Sequence, residues 1–173
     1  EVSGPIVHRD RRFAPLPHMP QTAANVSYTF YADKPYVLMS TLLEIQEELF
    51  VKALRNMEIV FNHEVLDEFV WEDHEGNIHS LPIETAKNHP VHALEIAPDS
   101  PWMAFISRKH NVGFANITLA YQNMNRYGAP PSELQPYIYV QNGPWIYWSR
   151  GLVYPFGGKN ISRIVHVRKG SMY

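Results

Sequence analysis

The stretch "STLLEIQEELFVKALRNMEIVF", residues 40–61, decides the fold. Leu42, Ile45, Leu49, Ala53 and Met57 recur at helical spacing, and the segment holds many good helix formers. The same residues carry a second pattern. Leu49, Val51 and Ala53 alternate, with Met57, Ile59 and Phe61 further on, which is the period of a strand with one buried face. Local pattern leaves both readings open, because tertiary context overrides propensity.

The flanking sequence is strand-like. Upstream, Val26, Tyr28 and Phe30 alternate with Ser27, Thr29 and Tyr31. Ala32-Asp33-Lys34-Pro35 reads as a turn, and Val37, Met39, Thr41, Leu43 and Ile45 then share a face, a hairpin signal. Downstream, "VLDEFVWED" and "IHSLPI" flank the turn "HEGN". "WMAFISRK" and "FANITLAYQN" flank "HNVG", where Gly113 is expected to supply a permissive φ. "YIYVQN", "PWIYWSRGLVYPF" and "ISRIVHVRKGSMY" follow. Turns recur at roughly 8–15 residues, the spacing of an antiparallel sandwich or barrel. Residues 1–24 are rich in Pro, His and Arg without a period and read as an extended arm; 25–173 read as one β-sandwich domain.

Composition narrows the function. The 173 residues suffice for one domain with a core, and charged residues at 18 % are too few for a disordered chain or a coiled coil. The net charge of −2 offers no basic excess to grip a phosphate backbone, so no nucleic-acid partner is expected. No apolar run reaches the length of a membrane helix, and no membrane partner is expected. The absence of Cys removes disulfides and thiolate metal sites. A start at Glu1 reads as a processed product. Aromatics are abundant, and Tyr and Trp suit interfaces and sugar contacts.

Several chemistries are weakly coded. His89, His92 and Glu95 lie close in sequence, but strand spacing puts the two His on opposite faces; His63, His74 and His79 flank a turn. No metal and no cofactor is therefore assigned. A nucleophile elbow and a phosphate-binding loop are both missing from the sequence. Glu64, Asp67, Glu68, Glu72, Asp73 and Glu75 read as a solvated acidic edge. The richest set surrounds "SRKHNVGFANITLAYQNMN", residues 107–125. Proton abstraction beside a uronate carboxylate needs a cation or amide on the carboxylate, a base at the carbon acid and an acid for the leaving oxygen. Arg108 and Asn111 fit the first role, His110 or Tyr121 the second, and Tyr147 the third. Asn123 lies in the same set, and Arg126, Trp145, Trp148 and Arg150 would hold the sugar rings.

In order, "VSYTFYADKPYVLMSTLLEI", "VKALRNMEIVFNHEVLDEFVWEDHEGNIHSLPI", "PWMAFISRKHNVGFANITLAY" and "WIYWSRGLVYPFG" resemble the later half of a galactose-mutarotase-like β-supersandwich, as found in polysaccharide lyases. The resemblance covers about 150 residues. It implies an all-β, antiparallel sandwich, with 41–62 as strand, and a carbohydrate context in a secreted or periplasmic protein. It also implies a second protein chain completing the domain, or a larger parent domain; the alternative is a smaller sandwich of its own. It transfers no catalytic residue. The expected function is lyase-like action on an acidic polysaccharide or oligosaccharide. The alternatives are a non-catalytic β-sandwich that binds glycan or a partner subunit, and a His-bound metalloenzyme of cupin-like shape.

Overall fold

A computed structural model describes residues 2–61, 64–83, 94–96, 99–120, 137–142, 146–153 and 164–173. The described elements are antiparallel strands, and residues 40–61 are among them. The helical spacing there loses to sheet pairing: β4 (Val37–Ile45), β5 (Leu49–Val51) and β6 (Leu54–Phe61) each find a partner strand. The chain divides into two compact units: 1–52 with 122–133 and 162–173, and 53–121 with 134–161.

The first unit is built on a meander of β1 (Val2–Ser3), β2 (Val7–Leu16), β3 (Met19–Tyr31) and β4. The expected arm 1–24 is therefore not solitary. It is extended, as its sequence suggests, but β2 pairs with β3 from Val7↔Tyr31 through Ala14↔Ala24. The β3–β4 hairpin forms where the alternation placed it, and Asp33 takes the left-handed conformation in its turn. The far edge of β4 is closed by the chain end: Leu43 and Tyr173 exchange backbone bonds of 2.8 and 3.0 Å. A second pairing joins β5 to β14 (Val165–Val167). Leu43, Ile45, Leu49, Val165 and Val167 are buried there.

The second unit is a sandwich of two four-stranded sheets. One has the order β11-β10-β7-β8, built from β7 (Glu68–Glu72), β8 (Ile78–Pro82), β10 (Trp102–Ser107) and β11 (Val112–Ile117). The other has the order β6-β13-β12-β9, with β9 (Leu94–Ile96), β12 (Tyr137–Asn142) and β13 (Ile146–Val153). Period-2 alternation points Phe69, Met103 and Phe105 of the first sheet at Ile96 and Trp148 of the second; Leu66 and Ile83 join them. Phe61 carries the aromatic contact onward, with ring centroids 4.8 Å from Phe105 and 5.1 Å from Phe114. Each large side chain so buried contributes roughly 1.5–3 kcal/mol. A bulge interrupts β6 against β13 between Trp148 and Arg150, and Met57 sits there at φ 57.

Gly113 does a different job from the one its sequence context suggests. It lies within β11, paired with Ile106, and the positive φ of the hairpin falls on Asn111. A Cβ at 113 would sit 3.0 Å from Ile106 Cγ2 and 3.2 Å from the Phe105 carbonyl oxygen. Glycine serves close packing here, not the turn.

Candidate functional site

The tip expected to be reactive is the loop joining β10 to β11. Ser107 pairs with Val112, and residues 108–111 make the loop. Asp67 anchors it, accepting from Ser107 Oγ at 3.1 Å and from the Arg108 amide at 3.3 Å. Ser107 Oγ in turn accepts from the His110 amide at 3.2 Å. Arg108 donates through Nε and Nη2 to the two carboxylate oxygens of Glu68, at 2.5 and 3.0 Å, and Ser80 Oγ donates to the same carboxylate. The Arg108 guanidinium, then the Ser80 hydroxyl, hold the Glu68 carboxyl below its usual range; Glu68 in turn raises Arg108. The cation expected to neutralise a substrate carboxylate already has a carboxylate.

The remaining expected residues are spread. His110 and Asn111 are exposed on the tip. Tyr121, Asn123, Arg126 and Trp145 lie outside the described residues, and Tyr147 is placed by its backbone alone, paired with Val60 and Gln141. Trp148 is 1 % exposed and belongs to the sandwich core, so it has no ring face for a sugar. Arg150 is buried as well, and its Nη2 donates to Thr118 Oγ1 at 2.8 Å. Both were expected as surface contacts. Strand alternation alone does not say which face of β13 is covered.

The outward face of the same sheet joins Trp102 and Ser80, which the sequence reading left out, to Arg108, Glu68 and Glu72. On β10 the outward positions are Trp102, Ala104 and Ile106, and Arg108 follows at the tip. Across β11 they meet Ile117, Ala115 and Gly113; across β7 Ala104 and Ile106 meet Val70 and Glu68. Between the ends this face carries the small residues Ala104, Ala115 and Gly113 beside Ile106 and Val70. Half-buried Trp102 stands at one end and the Arg108–Glu68–Ser80 group at the other. The Trp102 indole N–H donates to the Glu72 carboxylate, and Ser100 Oγ donates to the Glu72 carbonyl at 2.7 Å, so the ring is fixed from behind. The alternation in "WMAFISR" already put Trp102 and Arg108 on one face. Treating Glu68 and Glu72 as a generic acidic edge hid their partners.

A second polar cluster sits at the β7–β8 turn. Asp73 Oδ1 accepts from the Glu75 and Asn77 amides, each at 2.9 Å, and Oδ2 lies 2.7 Å from His79 Nε2. His79, then Asn77 and Glu75, hold the Asp73 carboxyl far below its usual range. Trp71 stacks on His79 with centroids 5.1 Å apart. Gly76 takes φ 85 in this turn. Among the described residues no group of three His, Asp or Glu converges as a metal site.

Comparison with family models, with curated proteins and with solved structures finds no match to this chain.

Proposed function

We propose that the second unit is a non-catalytic carbohydrate-binding sandwich that holds a neutral glycan across the open face of the β11-β10-β7-β8 sheet. The observation that carries this reading is Trp102, held by Glu72 on the same face as Glu68, Ser80 and Arg108. Sugar rings offer apolar C–H faces and a rim of hydroxyls. An indole face suits the first, and carboxylates with a guanidinium suit the second. Glu72, which holds Trp102, and Glu68, which holds Arg108, are four residues apart on β7, about 13 Å at roughly 3.3 Å per residue, which fits two or three linked rings.

Charge selects the class of glycan. The face carries the carboxylates of Glu68 and Glu72 against one guanidinium, whose charge Glu68 offsets while its Nη1 donors stay open to hydroxyls. An acidic polymer would meet net repulsion, so the elimination chemistry expected for Arg108, His110 and Asn111 has less support than binding. The likeness to supersandwich domains adds a carbohydrate context to this reading.

Calorimetric titration with neutral and uronate-containing oligosaccharides tests it. A neutral series should bind, and Trp102→Ala should weaken it at least about tenfold. Failure of every neutral glycan to bind, or release of an unsaturated uronate absorbing in the ultraviolet, overturns it.

A further inference from the structure

We infer that the neutral glycan held on this face carries an apolar aglycone. Its sugar rings lie over β7 and Trp102, and an alkyl or aryl group continues from them across β11, over Ile117 and Ala115. The inference rests on the carbohydrate reading and adds the class of ligand to it.

Polarity divides the outward face lengthwise. The β7–β8 half carries the hydrogen-bonding side chains Glu68, Glu72 and Ser80. The β10–β11 half sets Trp102, Ala104 and Ile106 opposite Ile117, Ala115 and Gly113. Among these residues the only polar side-chain atom is the Trp102 indole nitrogen, and its N–H is turned to Glu72. Neither strand contains a charged residue. The Thr118 amide donates to the Pro101 carbonyl at 2.9 Å, which makes Trp102 and Ile117 a non-hydrogen-bonded pair. The Cβ atoms of such a pair lie about 4.5–5.5 Å apart. Ile117 is 67 % exposed, so a group attached to a sugar on Trp102 reaches an uncovered aliphatic side chain at once. Ala115 and Gly113 are exposed further along the same strand.

Size and charge select the occupant. Two strands about 4.8 Å apart, each six residues long at roughly 3.3 Å per residue, give an apolar strip on the order of 150–200 Å². A standard protein interface needs about 800 Å² from each partner, so the strip is too small for one. It is wide enough for one alkyl chain or one aromatic ring. A bare sugar chain does not suit it either. Sugar hydroxyls set over Ile117 and Ala115 would lose water and find no side-chain partner on β11, which is unfavourable. An apolar group carries no such penalty. The carboxylates and Ser80 on the β7–β8 half then fix which end of the glycoside lies on which half of the sheet.

Calorimetric titration with paired methyl and butyl glycosides of neutral glucose, galactose and mannose trisaccharides tests this. A methylene taken wholly from water raises affinity about fourfold, and an open face covers one side of it, so about twofold is expected for each. The butyl form should therefore bind about eightfold tighter than the methyl form. Ile117→Thr changes an exposed position and keeps a β-branched residue in the strand. It should cut the gain to about twofold and leave the affinity for the methyl form unchanged. The butyl ether of triethylene glycol, which has the chain without the sugar, should not bind measurably. Equal affinity for methyl and butyl forms, or a gain that survives Ile117→Thr, overturns the inference and leaves the carbohydrate reading standing. Binding of the glycol ether as tight as that of the butyl glycoside overturns it as well. If no glycoside binds in either form, the carbohydrate reading falls and this inference with it.

Discussion

Arg108 and Glu68 face each other through two hydrogen bonds, 2.5 Å from Nε and 3.0 Å from Nη2, across neighbouring strands of one sheet. The Arg108 side chain is 73 % exposed and that of Glu68 13 %. Solvent screens such a pair, so it adds little to stability. Its consequence is for recognition. While Glu68 is ionised, it offsets the guanidinium charge and occupies the Nε–Nη2 edge, which weakens the pull on an anionic ligand.

Glu68→Gln should therefore change specificity more than stability. The variant should melt close to the parent and gain measurable binding to uronate oligosaccharides. Arg108→Ala in the same background should remove that gain. Thermal melts and the same calorimetric titrations check both statements. Binding of uronates by the parent as tight as by Glu68→Gln would show that the pair does not gate the face.

Trp148 separates core from surface. Its ring is 1 % exposed and packs in the cluster of Phe69, Met103 and Phe105. Trp148→Ala should cost about 3–5 kcal/mol, the range for emptying a large aromatic site. Trp148→Phe should cost much less. It keeps a ring in the cavity and removes a buried indole N–H that has no hydrogen-bond partner among the described residues. Denaturant titration measures both. A Trp148→Ala variant within about 0.5 kcal/mol of the parent would place the ring at the surface.

The strands were legible because period-2 alternation and turn residues agree: 26–31 with 37–45, and 102–107 with 112–117, pair as their patterns indicate. Residues 40–61 were not decided locally, since Leu42, Ile45 and Leu49 fit either period and only the partner strands choose. The site was less legible for a different reason. Alternation states that Trp148 and Arg150 share a face, but not that a second sheet covers it. Proximity in sequence grouped Arg108 with His110 and Asn111, whereas the contact that defines its role comes from Glu68, 40 positions earlier in the chain, itself held by Ser80. Gly113 followed the same pattern: the turn motif suggested a conformational role, and a cross-strand contact with Ile106 set the actual one.

Asp73 gives the pH dependence its sign. Its carboxyl is held far below the usual range, chiefly by His79 and then by the amides and side chain of the turn. An unfolded Asp takes up its proton near pH 3.9. Between that value and the depressed folded one, the unfolded chain binds more protons, so stability rises with pH. The contribution is present above about pH 4 and is lost as pH falls through the folded value. Asp73→Asn keeps an oxygen acceptor for the Glu75 and Asn77 amides but carries no charge. It should lower the melting temperature at neutral pH and flatten its decline on acidification from about pH 5 to about pH 2. Glu68 and Asp10 are also depressed and act with the same sign, but both remain in the variant, so the difference between the two curves isolates Asp73. Parallel curves for parent and Asp73→Asn over that range would show that the turn carboxylate is not coupled to folding.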